Sequence, residues 1–328
     1  MDNGGNTIIH FKFSGSKSMQ RFRTAITTTI SATVLAIGLQ GCATIADDPA
    51  PTAAEAFVPT GEGPALWKVA DEDTTIYIFG TVHALPSDID WNKGPVQMAI
   101  NSSESLVTEI DMTPEMMAAA GPTTIQLASL PQGQTLRGLM TDEQKAAYEA
   151  GIAKVGIPAA ALDQFEPWFV AITAMQIILQ KAGIDAANGV EKVLEETVPQ
   201  GTKRVGLETL EFQLNIFDSL PVEKQISFLL EVLENPDDGA AMLDTIIDEW
   251  KVGDVNDLST LLFANAAEDP VLMESLFYAR NANWAGWIDE RLDTPGTVFM
   301  AVGAGHLAGD KSVQEYLADR DIAVTRIQ

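Results

Sequence analysis

Strand-like apolar segments stand at the two ends of the folded part of this chain, with a long helical stretch between them. That arrangement constrains the fold more than any other feature. Residues 65–70 and 75–80 read as a hairpin joined by the charged turn Asp71-Glu72-Asp73. At the far end, 297–302 (TVFMAV) reads as a strongly apolar strand, followed by a helix near 311–318 and a closing strand over 322–327. Two more strands are expected inside, at 105–110 and 203–207. A capping pattern at Thr141 opens one helix, and Pro167 opens another that runs to about Lys181. From 209 to 291 the pattern is helical, cut at Pro221, Pro236, Gly253 and Pro270. The expectation is an α/β fold, with α+β as its neighbour. Its central mixed sheet is built from both ends of the chain and carries a large helical insertion over about 141–292.

Composition narrows the function classes. There are 20 Lys+Arg against 46 Asp+Glu, a net charge of -26, and phosphate binding needs clustered cations, so a nucleic-acid partner is not expected. A single Cys leaves no structural disulfide and no multi-cysteine zinc site.

That Cys has a setting. Arg21 and Arg23 precede an uncharged, apolar and Thr-rich run over 25–39, which ends in Leu39-Gln40-Gly41-Cys42. The run is short for a membrane span but suits a secretory signal. Its end resembles the bacterial lipobox, in which the Cys becomes a lipidated N-terminus. Residues 1–41 therefore read as a signal peptide, with Met19 as an alternative start. Residues 42–63 read as the lipidated Cys42 and a flexible tether, and 64–328 as the folded domain. The expected location is the periplasmic side of the cell envelope, membrane-anchored through Cys42. Ala43 after the Cys favours the outer membrane by resemblance to common sorting rules.

Removal of the signal would leave two histidines, His83 and His306. Both follow an apolar strand in the same form, Gly80-Thr-Val-His83 and Gly303-Ala-Gly-His306. Glycine at a strand end permits close backbone approach or positive φ. The carboxyl edge of an α/β sheet is where ligands bind. Two imidazoles there suit a metal or proton transfer near neutral pH. Gly303-Ala-Gly305-His-Leu-Ala308 also fits a dinucleotide fingerprint, but too little chain follows it for the required βαβ unit.

The segments LWKVADEDTTIYIFGTVHALPSDIDW, LVTEIDM and FMAVGAGHLAGDKSVQEYLADRDIAVTRIQ resemble the TraB/PrgY/GumN family, which includes the Tiki proteases. The resemblance covers about 64–328. It implies a fold shared with erythromycin esterase-like and ChaN-like proteins. It also implies a metal-dependent peptidase site formed by His83, His306 and a glutamate, matched here by Glu109, with Arg280 matching a recurrent arginine. Two imidazoles and a carboxylate suit a divalent transition metal: manganese, cobalt or zinc. Glu109 is either a metal ligand or the general base, with Asp111 or Glu208 then completing the ligands. Without metal, a His–Glu pair still activates water for ester hydrolysis. Arg280 would stabilise an oxyanion or clamp a substrate carboxylate. The structural alternatives are that Glu109 and Asp111 cap the helix near Thr113, that Glu208 favours a helix dipole, and that Arg280 forms a surface ion pair. The leading expectation is a lipid-anchored hydrolase of peptide or ester bonds. The alternative is a non-catalytic envelope lipoprotein that binds metal, haem or peptide. Trp168, Trp250, Trp284 and Trp287 fall on helical stretches and are expected in the core.

Overall fold

The computed structural model describes residues 63–111, 113–263 and 270–328. The signal segment, Cys42 and all but the last residue of the tether lie outside them. In chain order the elements are β1 (Leu66–Ala70), β2 (Thr74–Thr81), α1 (Gly94–Ser102), β3 (Ser105–Ile110), α2 (Pro114–Ala128), α3 (Asp142–Val155) and α4 (Pro167–Lys181). There follow α5 (Val190–Thr197), β4 (Lys203–Glu208), α6 (Leu210–Asp218), α7 (Val222–Glu234), α8 (Pro236–Val252) and α9 (Val255–Phe263). The short α10 (Pro270–Met273) passes through a π-helical turn, Glu274–Tyr278, into α11 (Ala279–Leu292), and β5 (Gly296–Gly303), α12 (Val313–Ala318) and β6 (Thr325–Arg326) close the chain.

The fold is α/β. Six strands form one mixed sheet in the order β4-β3-β5-β2-β1-β6. The hairpin β1–β2 is antiparallel, whereas β5 runs parallel to both β2 and β3, and β3 parallel to β4. The sheet is thus assembled from both ends, with the C-terminal β5 wedged between two N-terminal strands. The closing strand is shorter than the 322–327 expected: only Thr325–Arg326 pairs, antiparallel to β1. Asp321 turns the chain at a φ of 60°, and Ile322 and Val324 pack into the core without pairing in the sheet.

Both faces of the sheet are covered, which explains why β5 is apolar throughout. Phe299 and Ala301 face one core with Leu66, Phe79 and Leu106, against α1, α5, α8 and α9. Val298, Met300 and Val302 face the other with Ile76, Ile78 and Val107, against α11 and α12. Burying each large aliphatic or aromatic side chain contributes roughly 1.5–3 kcal/mol.

The helical stretch divides. Helices α3, α4 and α7 share a core of their own around Tyr148, Ile152, Val170, Leu229 and Leu233. Thr141 and Gln144 form the capping box that starts α3, and Gly156 ends it at a φ of 86°. Helices α1, α5, α8, α9, α11 and α12 pack on the sheet, and of these α5 and α11 carry site residues. Trp168, Trp250 and Trp284 are buried as expected. Among the described residues no helix is long and apolar enough to cross a membrane.

Candidate active site

The parallel register aligns four strand ends. Thr81 pairs with Gly303, Thr108 with Ala301, and Ile110 with Glu208. Read across the sheet, the carboxyl edge therefore presents Glu208 at the end of β4, Glu109 on β3, His306 after β5 and His83 after β2. This is the edge where open α/β sheets bind ligands. The structure brings together the four side chains expected at the site, His83, Glu109, His306 and Arg280, and with them Glu208, one of the two further acids considered there.

The two motif glycines serve close approach, since neither has positive φ. A Cβ at Gly80 would meet the Ala304 Cα at 3.1 Å, so any larger residue would press the end of β2 against the backbone of the turn after β5. A Cβ at Gly303 would stand 3.1 Å from Glu109 Oε1, 3.5 Å from His306 Cδ2 and 3.9 Å from His83 Nε2. The absent side chain leaves a cradle that these three residues line.

Arg280 on α11 is the hub, with only 7% of its side chain exposed. Its Nε donates to Glu208 Oε1 at 2.9 Å, and its Nη2 to Glu109 Oε2 at 2.6 Å and to Glu208 Oε2 at 2.9 Å. Its Nη1 donates to the Leu276 carbonyl at 2.9 Å and lies 3.1 Å from His306 Nε2. All five guanidinium N–H groups are engaged inside the protein. Arg280 is therefore no surface ion pair, and it has no N–H left over for a substrate oxygen in this arrangement. Gln213 on α6 bridges the carboxylates, donating to Glu109 Oε2 at 2.8 Å and to Glu208 Oε2 at 3.0 Å. The Trp284 Nε1–H donates to Glu208 Oε1 at 3.1 Å, and its ring lies 4.3 Å from the His306 ring. Only Glu109 Oε1, which accepts from the Gly303 N–H at 2.7 Å, faces the cradle.

Burial pushes the Glu109 carboxyl up, but His306, Arg280, His83 and the Gly303 N–H more than offset it and hold the group well below the usual carboxylate range. Burial pushes His306 down, against the pull of Glu109 and with the push of Arg280 and His83. Burial thus holds His306 towards its neutral form, and Arg280 and the Gly303 N–H are among the groups that keep Glu109 ionised.

His83 differs from His306, for its side chain is 70% exposed. Its Nδ1 lies 2.7 Å from Glu191 Oε1, which also accepts from the Thr81 hydroxyl at 2.5 Å. The Glu191 charge raises the His83 imidazole from its ordinary value to about 9, so the ring carries a proton at neutral pH. Glu191 was not foreseen. It sits in the first turn of α5, whose start is pressed onto the His83 loop: the Val190 N–H donates to the Val82 carbonyl, and a Cβ at Gly189 would collide with the His83 carbonyl.

The remaining candidates separate. Thr113, whose hydroxyl accepts from the Met116 N–H, caps α2, so neither Glu109 nor Asp111 does. Asp111 Oδ1 is buried without a partner. Glu208 ends a strand, and Thr209 caps the helix after it.

A family model matches residues 65–326, nearly all of the described chain. The chain belongs to the TraB/PrgY/gumN family. No curated protein and no solved structure gives a match.

A divalent transition metal held by His83, His306 and Glu109 does not fit this arrangement. His306 Nε2 and Glu109 Oε1 are 3.8 Å apart, but Arg280 already stands on that Nε2 and on the other Glu109 oxygen. Among the described residues, the only set of three or more His, Cys, Asp or Glu donors within 4.8 Å of one another is Glu249, Asp254 and Asp257, remote from these residues in sequence and largely exposed.

Proposed function

We propose that this TraB/PrgY/gumN member is a hydrolase that cleaves a peptide or ester bond, with its reacting water seated over Gly303 between Glu109 Oε1 and His83 Nε2. The observation that carries this reading is the cradle itself, which an acceptor and an imidazole nitrogen line within 3.1 and 3.9 Å of a Gly303 Cβ position.

The step follows from the residues that face that space. The ionised Glu109 Oε1 accepts a hydrogen bond from the water and orients it. His83, in the unprotonated form that becomes populated as pH rises towards about 9, takes the water's other proton at Nε2 as the oxygen attacks the carbonyl carbon. Glu191, on the Nδ1 side, orients the ring and stabilises the imidazolium that forms. The C–N or C–O bond then breaks, and His83 returns its proton to the leaving nitrogen or oxygen. Arg280 keeps Glu109 charged and in place. No step passes through a metal. The lipobox-like ending at Cys42 supports a tethered location in the cell envelope, where the substrate would be a peptide or a small ester.

The test is turnover of peptide and ester libraries by the purified protein, before and after chelation and with added manganese, cobalt or zinc. Hydrolysis that survives chelation and falls by about 100-fold or more in His83→Gln is expected, the usual contribution of a positioned base. Hydrolysis that appears only with metal would mean that an ion displaces Arg280, and the metal-free step would be wrong. Tight binding of a peptide without turnover would overturn the hydrolase reading in favour of a carrier.

A further inference from the structure

Asn281 stands beside Arg280 on α11 and takes the other side of His306. Its Oδ1 lies 2.6 Å from His306 Nδ1, and its Nδ2 donates to the Lys311 carbonyl at 2.8 Å. A carbonyl oxygen only accepts, so the amide must turn its NH₂ towards Lys311 and its oxygen towards the imidazole. The His306 proton then belongs on Nδ1. The opposite side of the ring agrees, because the guanidinium 3.1 Å from Nε2 has hydrogens to give and no lone pair to accept with. Lys311 holds its carbonyl in place with a left-handed φ of 56°, which a lysine adopts only when its surroundings impose it. Its ammonium lies 4.3 Å from the centre of the Tyr278 ring, and its N–H donates to Glu315 Oε2 at 2.5 Å.

We infer that Asn281, aimed by the Lys311 carbonyl, is a positioning residue that fixes His306 in the Nδ1–H tautomer and so keeps its Nε2 lone pair on Arg280. Held on that side, the guanidinium is kept in the plane that grips Glu109 and Glu208. Glu109 Oε1 is then left as the acceptor facing the cradle. The two Gly-x-x-His histidines, alike in sequence, divide the work: His83 has a nitrogen open to the cradle, whereas both nitrogens of His306 are engaged. The kinetic part of this inference rests on the hydrolase reading, and the tautomer does not.

Nitrogen-15 imidazole NMR of the purified protein tests it, with the His306 signals assigned by their absence in His306→Gln. The expected result is a neutral ring protonated on Nδ1, with a slowly exchanging proton. A proton on Nε2, or on both nitrogens, would overturn the inference. That reading needs no substrate, so it stands or falls separately from the hydrolase proposal. In Asn281→Leu, which removes the acceptor at similar volume, the Nδ1 proton should lose its slow exchange. Its kcat should fall about 10- to 100-fold with KM little changed, the usual effect of losing a partner that orients a site histidine. Wild-type kcat in the folded variant would overturn the role, even if the variant melts at lower temperature. If Asn281→Leu does not fold, Asn281→Ala supplies the same two readings.

Discussion

His83 Nδ1 lies 2.7 Å from Glu191 Oε1, across 108 positions of sequence. The pair joins the loop after β2 to the first turn of α5, and it leaves His83 Nε2 turned to the cradle. Glu191→Gln keeps the shape of the side chain but removes the charge that stabilises an imidazolium. Turnover is expected to fall by about 10-fold or more, with little change in thermal midpoint. Steady-state kinetics beside thermal unfolding checks this, and unchanged turnover would remove Glu191 from the site's chemistry.

Gly303 has φ -49° and ψ 133°, which any residue can adopt. Gly303→Ala should therefore fold, because nothing in the backbone resists it, and the neighbours at 3.1 to 3.9 Å need give only a few tenths of an ångström. The added methyl would fill the space assigned to the water. The expected outcome is a folded protein, by circular dichroism and melting, with hydrolysis lost.

Trp284→Phe keeps most of the ring beside His306 but deletes the N–H that serves Glu208 Oε1. Glu208 is 8% exposed, so water does not readily replace the lost donor. A hydrogen bond to a buried charge is worth about 1.5–3 kcal/mol, and denaturant unfolding should show a loss of that size. A change under half a kcal/mol would mean that the carboxylate finds a new donor.

The ion pair between Arg137 and Asp163 sets part of the acid stability. Hydrogen bonds from the Arg137 guanidinium hold the Asp163 carboxyl below its ordinary value of 3.8. The unfolded chain therefore binds this proton first. Stability from the pair is fully present above the ordinary value and is lost as pH falls through the lowered one. Asp163→Asn should flatten the acid limb of a stability–pH curve below about pH 4 while leaving the neutral region parallel to wild type. An acid limb as steep as wild type would assign that limb to other carboxylates.

The strands and most helix bounds were legible because their causes are local. Val, Ile and Phe runs, a Thr141 capping box and prolines at helix starts act within a few residues. Residues 322–327 were misjudged as one full strand because pairing length depends on the partner: the ladder with β1 covers only Thr325 and Arg326, and Ile322 and Val324 pack into the core instead. His83 and His306 were visible as chemistry at strand ends, whereas Glu109 was singled out only by the family resemblance. Glu191 was not visible, because an acid in the first turn of a helix has an ordinary reason to be there. Trp284 was expected in the core but not as a donor to Glu208, and Asn281 was not foreseen as a partner of His306. Their roles depend on which face α11 turns to the sheet, which no spacing within the helix reveals.

The wedging of β5 between β2 and β3 has a consequence in time. Neither neighbour can complete its pairing until residues 296–303 have arrived. A nascent chain that stops short of them holds His83, Glu109, Glu208 and Arg280 but lacks the strand that sets their spacing. Contacts between residues so far apart in sequence close slowly. This edge of the sheet is therefore a late event of folding, and a truncated or half-made copy would carry most of its side chains without their mutual geometry.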